Sequence, residues 1–194
     1  MRRLAVPLFR GKPLYQSYLI VSSADEESTS LADLRGRPFA YSDPDSNSGY
    51  LYPRYALARM GEDPATFFGR SFFTWTHRKV VEAVGVRLAA GGAVDGYVWE
   101  TLARFYPEVT ARSRVLSASP EFGHPPFVAR TSLPEGDFLA MREVLLGMRS
   151  DPVGARILDR LNLDGFTPGD HGLYEGIEEM SKPVPGGQAG ADAA

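Results

Sequence analysis

One stretch, residues 33–61, constrains this chain more than any other. A short apolar run, Pro38-Phe39-Ala40-Tyr41, passes into Ser42-Asp43-Pro44-Asp45-Ser46-Asn47-Ser48-Gly49. The chain then enters a helical pattern with Leu51, Tyr55 and Ala58 on one face and Gly61 at its end. Backbone N–H groups at a helix start have no intrahelical acceptor and carry the positive end of the dipole. Ser46, Asn47 and Ser48 therefore surround a position suited to an anion. A single cap needs one such side chain, and here three stand in a row. Pro53 has no N–H, so the regular ladder is expected to start near Tyr50 or to have a distorted first turn.

Composition narrows the classes of partner. With 194 residues, 43% hydrophobic and 23% charged, the chain is long enough for one globular unit or two small lobes. A net charge of −3 argues against non-specific attraction to nucleic acid or anionic membrane, so any bound anion must be held by local donors. The absence of cysteine excludes disulfides, thiolate metal sites and a cysteine nucleophile. No apolar run reaches membrane-spanning length. The first ten residues are interrupted at Pro7 and Arg10 and do not read as a secretory signal.

Along the chain, residues 14–21 read as a strand and 22–30 as a polar, acidic connector and hinge. A helical turn covers 31–36, and Asp63-Pro64 opens a short helix to Phe68. A strand over 70–73 leads to a helix opened by Thr76 or His77, running to about Ala90 and closed by Gly91-Gly92. Residues 93–99 read as a strand followed by a short helix to Phe105, with further strands at 115–117 and 127–129. Helices are expected over 137–149, 152–161 capped by Asp151, and 172–180 capped by Asp170. The tail, 181–194, is rich in Pro, Gly and Ala and is expected to be disordered. Strands alternating with helices imply parallel α/β layers, with ligands beyond the carboxyl ends of strands. Three such junctions, 42–49, 74–77 and 99–101, are expected to converge.

Residues 43–53 (DPDSNSGYLYP) resemble the Asp-Pro-x-Ser-Thr-Ser-Gly-Tyr-Leu-x-Pro element of phosphonate-binding proteins, the extracytoplasmic substrate-binding components of ABC importers. Three further stretches resemble that family in the expected order: 14–21 (LYQSYLIV), 73–84 with His77, and 125–134 (PPFVARTSLP). The resemblance runs to about Met180. It implies an α/β fold of the type II periplasmic-binding-protein kind, with two three-layer lobes. The second lobe would span 24–122, and the first, formed by 1–23 and 123–180, would be incomplete, because the family carries a further half-lobe before the point where this chain begins. It implies a periplasmic or membrane-anchored location and an ABC permease as partner. The expected function is binding of a small phosphonate or phosphate-like oxyanion for import. The alternative is a sensor module, or a degenerate fragment, that signals to a partner.

The resemblance places Ser46, Asn47 and Ser48 around the ligand oxygens, with Asn47 standing where the family usually has threonine, and makes His77 the ligand histidine. A bound dianion would then raise the His77 pKa. Tyr15 and Tyr18 are both strand aromatics, and the resemblance selects Tyr15 for the mouth of the pocket. Trp99 could pack as core or equally wall the cleft, and Glu100 could be a solvated helix-start carboxylate or receive a ligand amine. Residues 122–126 (FGHPP) lack the acid that aminophosphonate binders carry there, so phosphate, phosphite and phosphate esters stay open as ligands. No cofactor or metal is expected, since His77, His124 and His171 are far apart and the latter two read as loop residues. No nucleophile elbow, metalloprotease, Walker or dinucleotide motif is present, so no enzymatic turnover is expected. An uncovered sheet edge at 15–21 and helix face at 138–146 would favour a homodimer.

Overall fold

The computed structural model describes residues 1–170 and 172–182. His171 and nearly all of the tail read as disordered lie outside the described residues. In chain order the first elements are β1 (Arg2–Leu8), β2 (Leu14–Tyr15), β3 (Ser17–Ser22), β4 (Pro38–Tyr41), α1 (Tyr52–Arg59), β5 (Arg70–Phe73) and α2 (His77–Gly85). Next come β6 (Gly91–Asp95), α3 (Gly96–Phe105), α4 (Pro107–Thr110), β7 (Ser113–Ala118) and β8 (Phe122–Gly123). The last are β9 (Phe127–Ala129), α5 (Glu135–Gly147), α6 (Pro152–Leu161), β10 (Gly165–Thr167) and α7 (Glu175–Ser181). Internal contacts divide the chain into two units, one of Met1–Tyr15 with Glu121–Gly176, the other of Gln16–Pro120 with the chain from Ile177.

The second unit is built on a five-stranded sheet in the order β5-β4-β6-β3-β7. Strand β4 runs parallel to β5 and β6, whereas β3 is antiparallel to β6 and β7, so the parallel expectation holds for three strands only. Alternate residues of the same strands feed two cores. Leu19, Val21, Phe39, Tyr41 and Ala93 pack with Leu57 of α1, while Ile20, Ala40 and Val94 pack with Val80, Val84 and Leu102 of α2 and α3. That period of two, apolar on both faces, is what a sheet covered by helices on each side requires. Phe39, fully buried and stacked on Phe68 at 4.1 Å, alone removes enough apolar area to contribute about 2–3 kcal/mol.

Several boundaries differ from the sequence reading. The strand expected over 14–21 breaks at Gln16, whose C=O accepts from the Gly96 N–H at 2.8 Å and whose side chain donates to the Ser119 C=O at 2.5 Å. Residues 17–22 belong to the second unit, between β6 and β7, so the division falls at Tyr15 rather than at residue 23. For the same reason they form no open edge. Helix α2 stops at Gly85, before Arg87 takes a left-handed φ of 62°. Gly91 and Gly92 lie inside β6, where a Cβ would come within 2.6 Å of Leu34 and 2.4 Å of Val80. They let the two cores close directly on the strand. Residues 64–68 form a hydrogen-bonded turn held by Asp63, not a helix.

In the first unit, β1 lies between β10 and β9, antiparallel to both. Pro7 stands in β1 opposite Phe166 of β10, beyond Ala5, where the pairing with β9 ends. Helix α5 buries Phe138 beneath the Arg2 guanidinium, 3.8 Å from the ring, and leaves Leu139, Met141 and Val144 exposed. His124, read from sequence as a loop residue, is buried, its ring 5.6 Å from that of Tyr15. Its N–H donates to the Pro13 C=O at 2.8 Å, and its C=O accepts from Tyr174 Oη at 3.0 Å.

Burial pushes the His124 imidazole down to about 4, against a hydrogen bond to the Pro125 backbone. A depressed histidine binds its proton more readily when unfolded, so its contribution is intact above the ordinary range near 6.5 and is lost as pH falls towards 4. In urea melts, wild type should lose on the order of 2 kcal/mol more than His124→Phe between pH 7 and pH 4. Equal losses in the two proteins would place the acid sensitivity elsewhere.

Candidate functional site

The parallel strands β4, β5 and β6 end on one side of the second unit's sheet, at Tyr41, Phe73 and Asp95. The chain leaving β4 caps its own helix, with Ser46 Oγ accepting from the Gly49 N–H at 2.9 Å. The next turn is wide. The Leu51 N–H bonds the Ser46 C=O at 3.0 Å and the Tyr52 N–H bonds the Asn47 C=O, each a five-residue step. Pro53 cannot donate back into this turn, which leaves it one donor short. Gly49 C=O accepts from the Ser42 N–H at 3.3 Å, and Ser48 C=O accepts from Ser17 Oγ of β3 at 2.6 Å. Both bonds tie the turn to the strand ends, and the N–H groups of Asn47 and Ser48 precede its first backbone bond.

The second arm comes from β5. Thr74 and Trp75 donate their N–H groups to the C=O groups of Tyr41 and Ser42, at 3.0 and 2.6 Å. Trp75, 67% exposed, is held at φ 67°, a conformation a large L-residue adopts only when its surroundings impose it. Thr76 then caps α2, its Oγ1 accepting from the Lys79 N–H at 3.2 Å, and His77 occupies the first helical position. His77 Nδ1 accepts from the Asp95 N–H at 3.1 Å. A nitrogen that accepts carries no proton, so the neutral ring holds its proton on Nε2. Burial pushes the His77 pKa down, with Asp43 opposing, so the resting ring is a neutral donor.

The third arm is Asp95. Its carboxylate caps α3, accepting from the Val98 N–H at 3.3 Å. Across the sheet it pairs with Ser17, the residue bonded to the wide turn. Only 7% of it is exposed, and burial pushes its carboxyl up to about 7 against the N–H groups of Val98 and Tyr97. Among the described residues no Lys or Arg side chain bonds to Ser46, Ser48, His77, Asp43 or Asp95. What gathers here is a set of neutral donors and N–H dipoles beside buried acid, with no fixed cation. No group of acidic and histidine side chains among the described residues has the spacing to hold a metal ion.

Three further expected site residues stand on α3 and in the first unit. Because Asp95 starts a helix, residues 96–99 are helical, and Trp99 and Glu100 stand in its first turns rather than at a strand end. Trp99 packs on Tyr18 at 6.2 Å and its Nε1 donates to Ser113 Oγ, at the opposite end of β3 from Ser17. Glu100 accepts from Tyr18 Oη at 2.5 Å. Tyr15 belongs to the first unit, buried with Phe122 and His124. A 630 Å³ hollow lined by Ser22, Asp25, Arg37, Pro38 and Arg87 opens at the other end of the sheet, with the Arg37–Asp25 pair, at 2.8 Å, in its wall. It is remote from the three strand ends. Sequence reasoning passed over Ser17 and Asp95 and took in Trp75 only as part of the 74–77 junction. Only Asp95 carried a local signal, an Asp-Gly pair able to end a strand and cap a helix.

The sequence profile of the periplasmic substrate-binding proteins of phosphonate ABC transporters matches residues 1–174. The chain belongs to that family. Its fold is similar to that of PhnD1 from Prochlorococcus marinus, solved with methylphosphonate, at a TM-score of 0.82 and 23% identity over 92% of this chain and 69% of that one. A binding-protein component of an ABC phosphonate transporter from Pseudomonas aeruginosa gives a TM-score of 0.80 and 25% identity, over 91% of this chain and 60% of that one. An ancestral arginine-binding protein shares the fold at a TM-score of 0.56 and 12% identity, covering 81% of this chain and 62% of that one.

The wide turn depends on Gly49, where an added Cβ would sit 1.9 Å from Ser42 Oγ and 3.1 Å from Ser46 Oγ. Gly49→Ala must push Ser42 off the strand end, and overpacking of this kind costs about 1–3 kcal/mol. Thermal unfolding should show a lowered midpoint. An unchanged midpoint would mean that the turn adapts without strain.

Proposed function

We propose that this chain binds a small phosphonate or phosphate-like oxyanion at the strand ends of its second unit and presents it to an ABC permease on the periplasmic side. The observation that carries this reading is the chain of bonds linking the wide turn to His77: Ser17 Oγ on the Ser48 C=O, Ser17 paired with Asp95, and the Asp95 N–H on His77 Nδ1, which leaves Nε2 as the protonated nitrogen. A tetrahedral oxyanion suits this arrangement, because dipoles and neutral donors stabilise a compact anion without an ion pair. Family membership supports it, as does the methylphosphonate held by PhnD1. No helix among the described residues is long and apolar enough to cross a membrane.

The role is binding without turnover. A serine nucleophile needs a base with a vacant lone pair, and His77 has its Nδ1 pair engaged by Asp95 and its Nε2 protonated. Glu100, already accepting from Tyr18, is poorly placed to receive a ligand amine, which favours ligands without an amino group.

Calorimetric titration with methylphosphonate tests this directly. His77→Ala should weaken binding at least about tenfold, or ~1.4 kcal/mol, and His77→Gln, which keeps a donor near the Nε2 position, should weaken it less. Neither variant nor wild type should hydrolyse a phosphate ester. Hydrolysis by wild type that is lost in His77→Gln while affinity is retained would make His77 a catalytic group and the binding-only reading wrong.

A further inference from the structure

The proposed oxyanion site contains a buried acid that its function as an anion site does not explain. Asp95 joins both arms. Its N–H orients His77, and its cross-strand partner Ser17 holds the Ser48 carbonyl. An anion seated by the wide turn and His77 would share this end of the sheet with a carboxyl shielded from solvent, and in so poorly solvated a setting like charges repel far more than in water.

The groups around Asp95 offer no cation to offset this. Helix α2 presents His77, which is neutral, while Arg78 pairs with Glu82 at 2.9 Å and Lys79 is exposed. The loop after β4 presents Asp43, another acid. Helix α3 presents Tyr97, whose hydroxyl pKa burial and Asp95 push up, and Glu100, which is bonded to Tyr18 of β3. Of the two carboxyls near the site, Asp43 is only part-buried and already accepts from Ser42 Oγ and the Asp45 N–H, whereas Asp95 is shielded from solvent. Asp95 is the one that relieves the conflict at least cost by becoming neutral.

We propose that oxyanion binding at this site is coupled to uptake of one proton by the Asp95 carboxyl, so that Asp95 sets how affinity depends on pH. The inference rests on the oxyanion reading above. Burial already places this carboxyl at about 7 in the ligand-free protein, and a neighbouring anion raises it further. Affinity is then greatest when Asp95 is protonated and falls as pH rises above neutrality. His77 contributes no such dependence in that range, because it donates while neutral.

Calorimetry with methylphosphonate on wild type, Asp95→Asn and Asp43→Asn between pH 6 and 9 separates the possibilities, since the ligand's own titration is common to all three and cancels in their ratios. The affinity of wild type relative to Asp95→Asn should fall about tenfold for each pH unit above 7. Asp43→Asn should keep the wild-type slope. Asparagine is as good a helix cap as aspartate, and Asp95→Ser supplies a second neutral cap should the first fold poorly. Wild type alone should take up about one proton more per ligand at pH 8 than the ligand's own ionisation accounts for, read from binding heats in buffers of different ionisation enthalpy. Parallel profiles for wild type and Asp95→Asn, or a slope lost in Asp43→Asn instead, would overturn the assignment while leaving the oxyanion site standing. Absence of methylphosphonate binding by wild type at every pH would overturn the oxyanion reading and this inference with it.

Discussion

A proline that cannot donate and a serine that can are coupled across the second unit, and the candidate site depends on that coupling. Pro53 leaves its helix one donor short, buried carbonyls without partners are costly, and those of Ser48 and Gly49 find partners outside the turn. Ser17 of β3 and the Ser42 N–H of the strand-end loop supply them. The turn is thereby pinned to two neighbouring strands, its leading N–H groups held in place before any ligand arrives. Donors that are already oriented need no reordering on binding, which is where affinity is otherwise lost. The left-handed Trp75 shows the same logic on the second arm, its strain held by a short hydrogen bond to the strand-end loop.

The electrostatics follow from the burial that makes the scaffold rigid. A sheet covered on both faces places its strand ends in a poorly solvated setting, where a fixed cation would itself be costly to bury. Dipoles and a neutral imidazole avoid that cost. The tautomer of His77 is decided by one backbone N–H, that of Asp95, and not by the ring's own chemistry. A bound dianion is expected to raise the His77 pKa; burial holds it down and leaves the ring a neutral donor, and the proposed proton linkage rests on the buried acid instead.

The two-sided burial was written in the period-two patterns of 19–21, 39–41 and 93–94, and the family in the order of four short motifs. The helix caps Asp151 and Asp170 were legible for the same reason, since capping is a contact between residues three apart, and both are present. Boundaries set by competition between local preferences were less legible. Val98 and Trp99 favour a strand, yet the cap at Asp95 turns the chain into a helix before them, which carries Trp99 and Glu100 away from the strand end. Gly91 and Gly92 read as a helix stop, but they serve the sheet, because only a residue without a Cβ admits Leu34 and Val80 so close.

By itself, then, the sequence determined the class of fold, the family and the loop with its histidine, because each rests on residues near one another in the chain or on a repeat that one strand displays. Tertiary structure decided which unit owns 17–22, which nitrogen of His77 holds the proton, and that Asp95 and Ser17 join the site. Those outcomes depend on pairings between residues 18 to 78 positions apart, such as His77 with Asp95 and Ser17 with Asp95. Contacts of that range leave no pattern within a window of sequence, since any serine or aspartate could make them. Only the register of β3 against β6 brings these particular ones together.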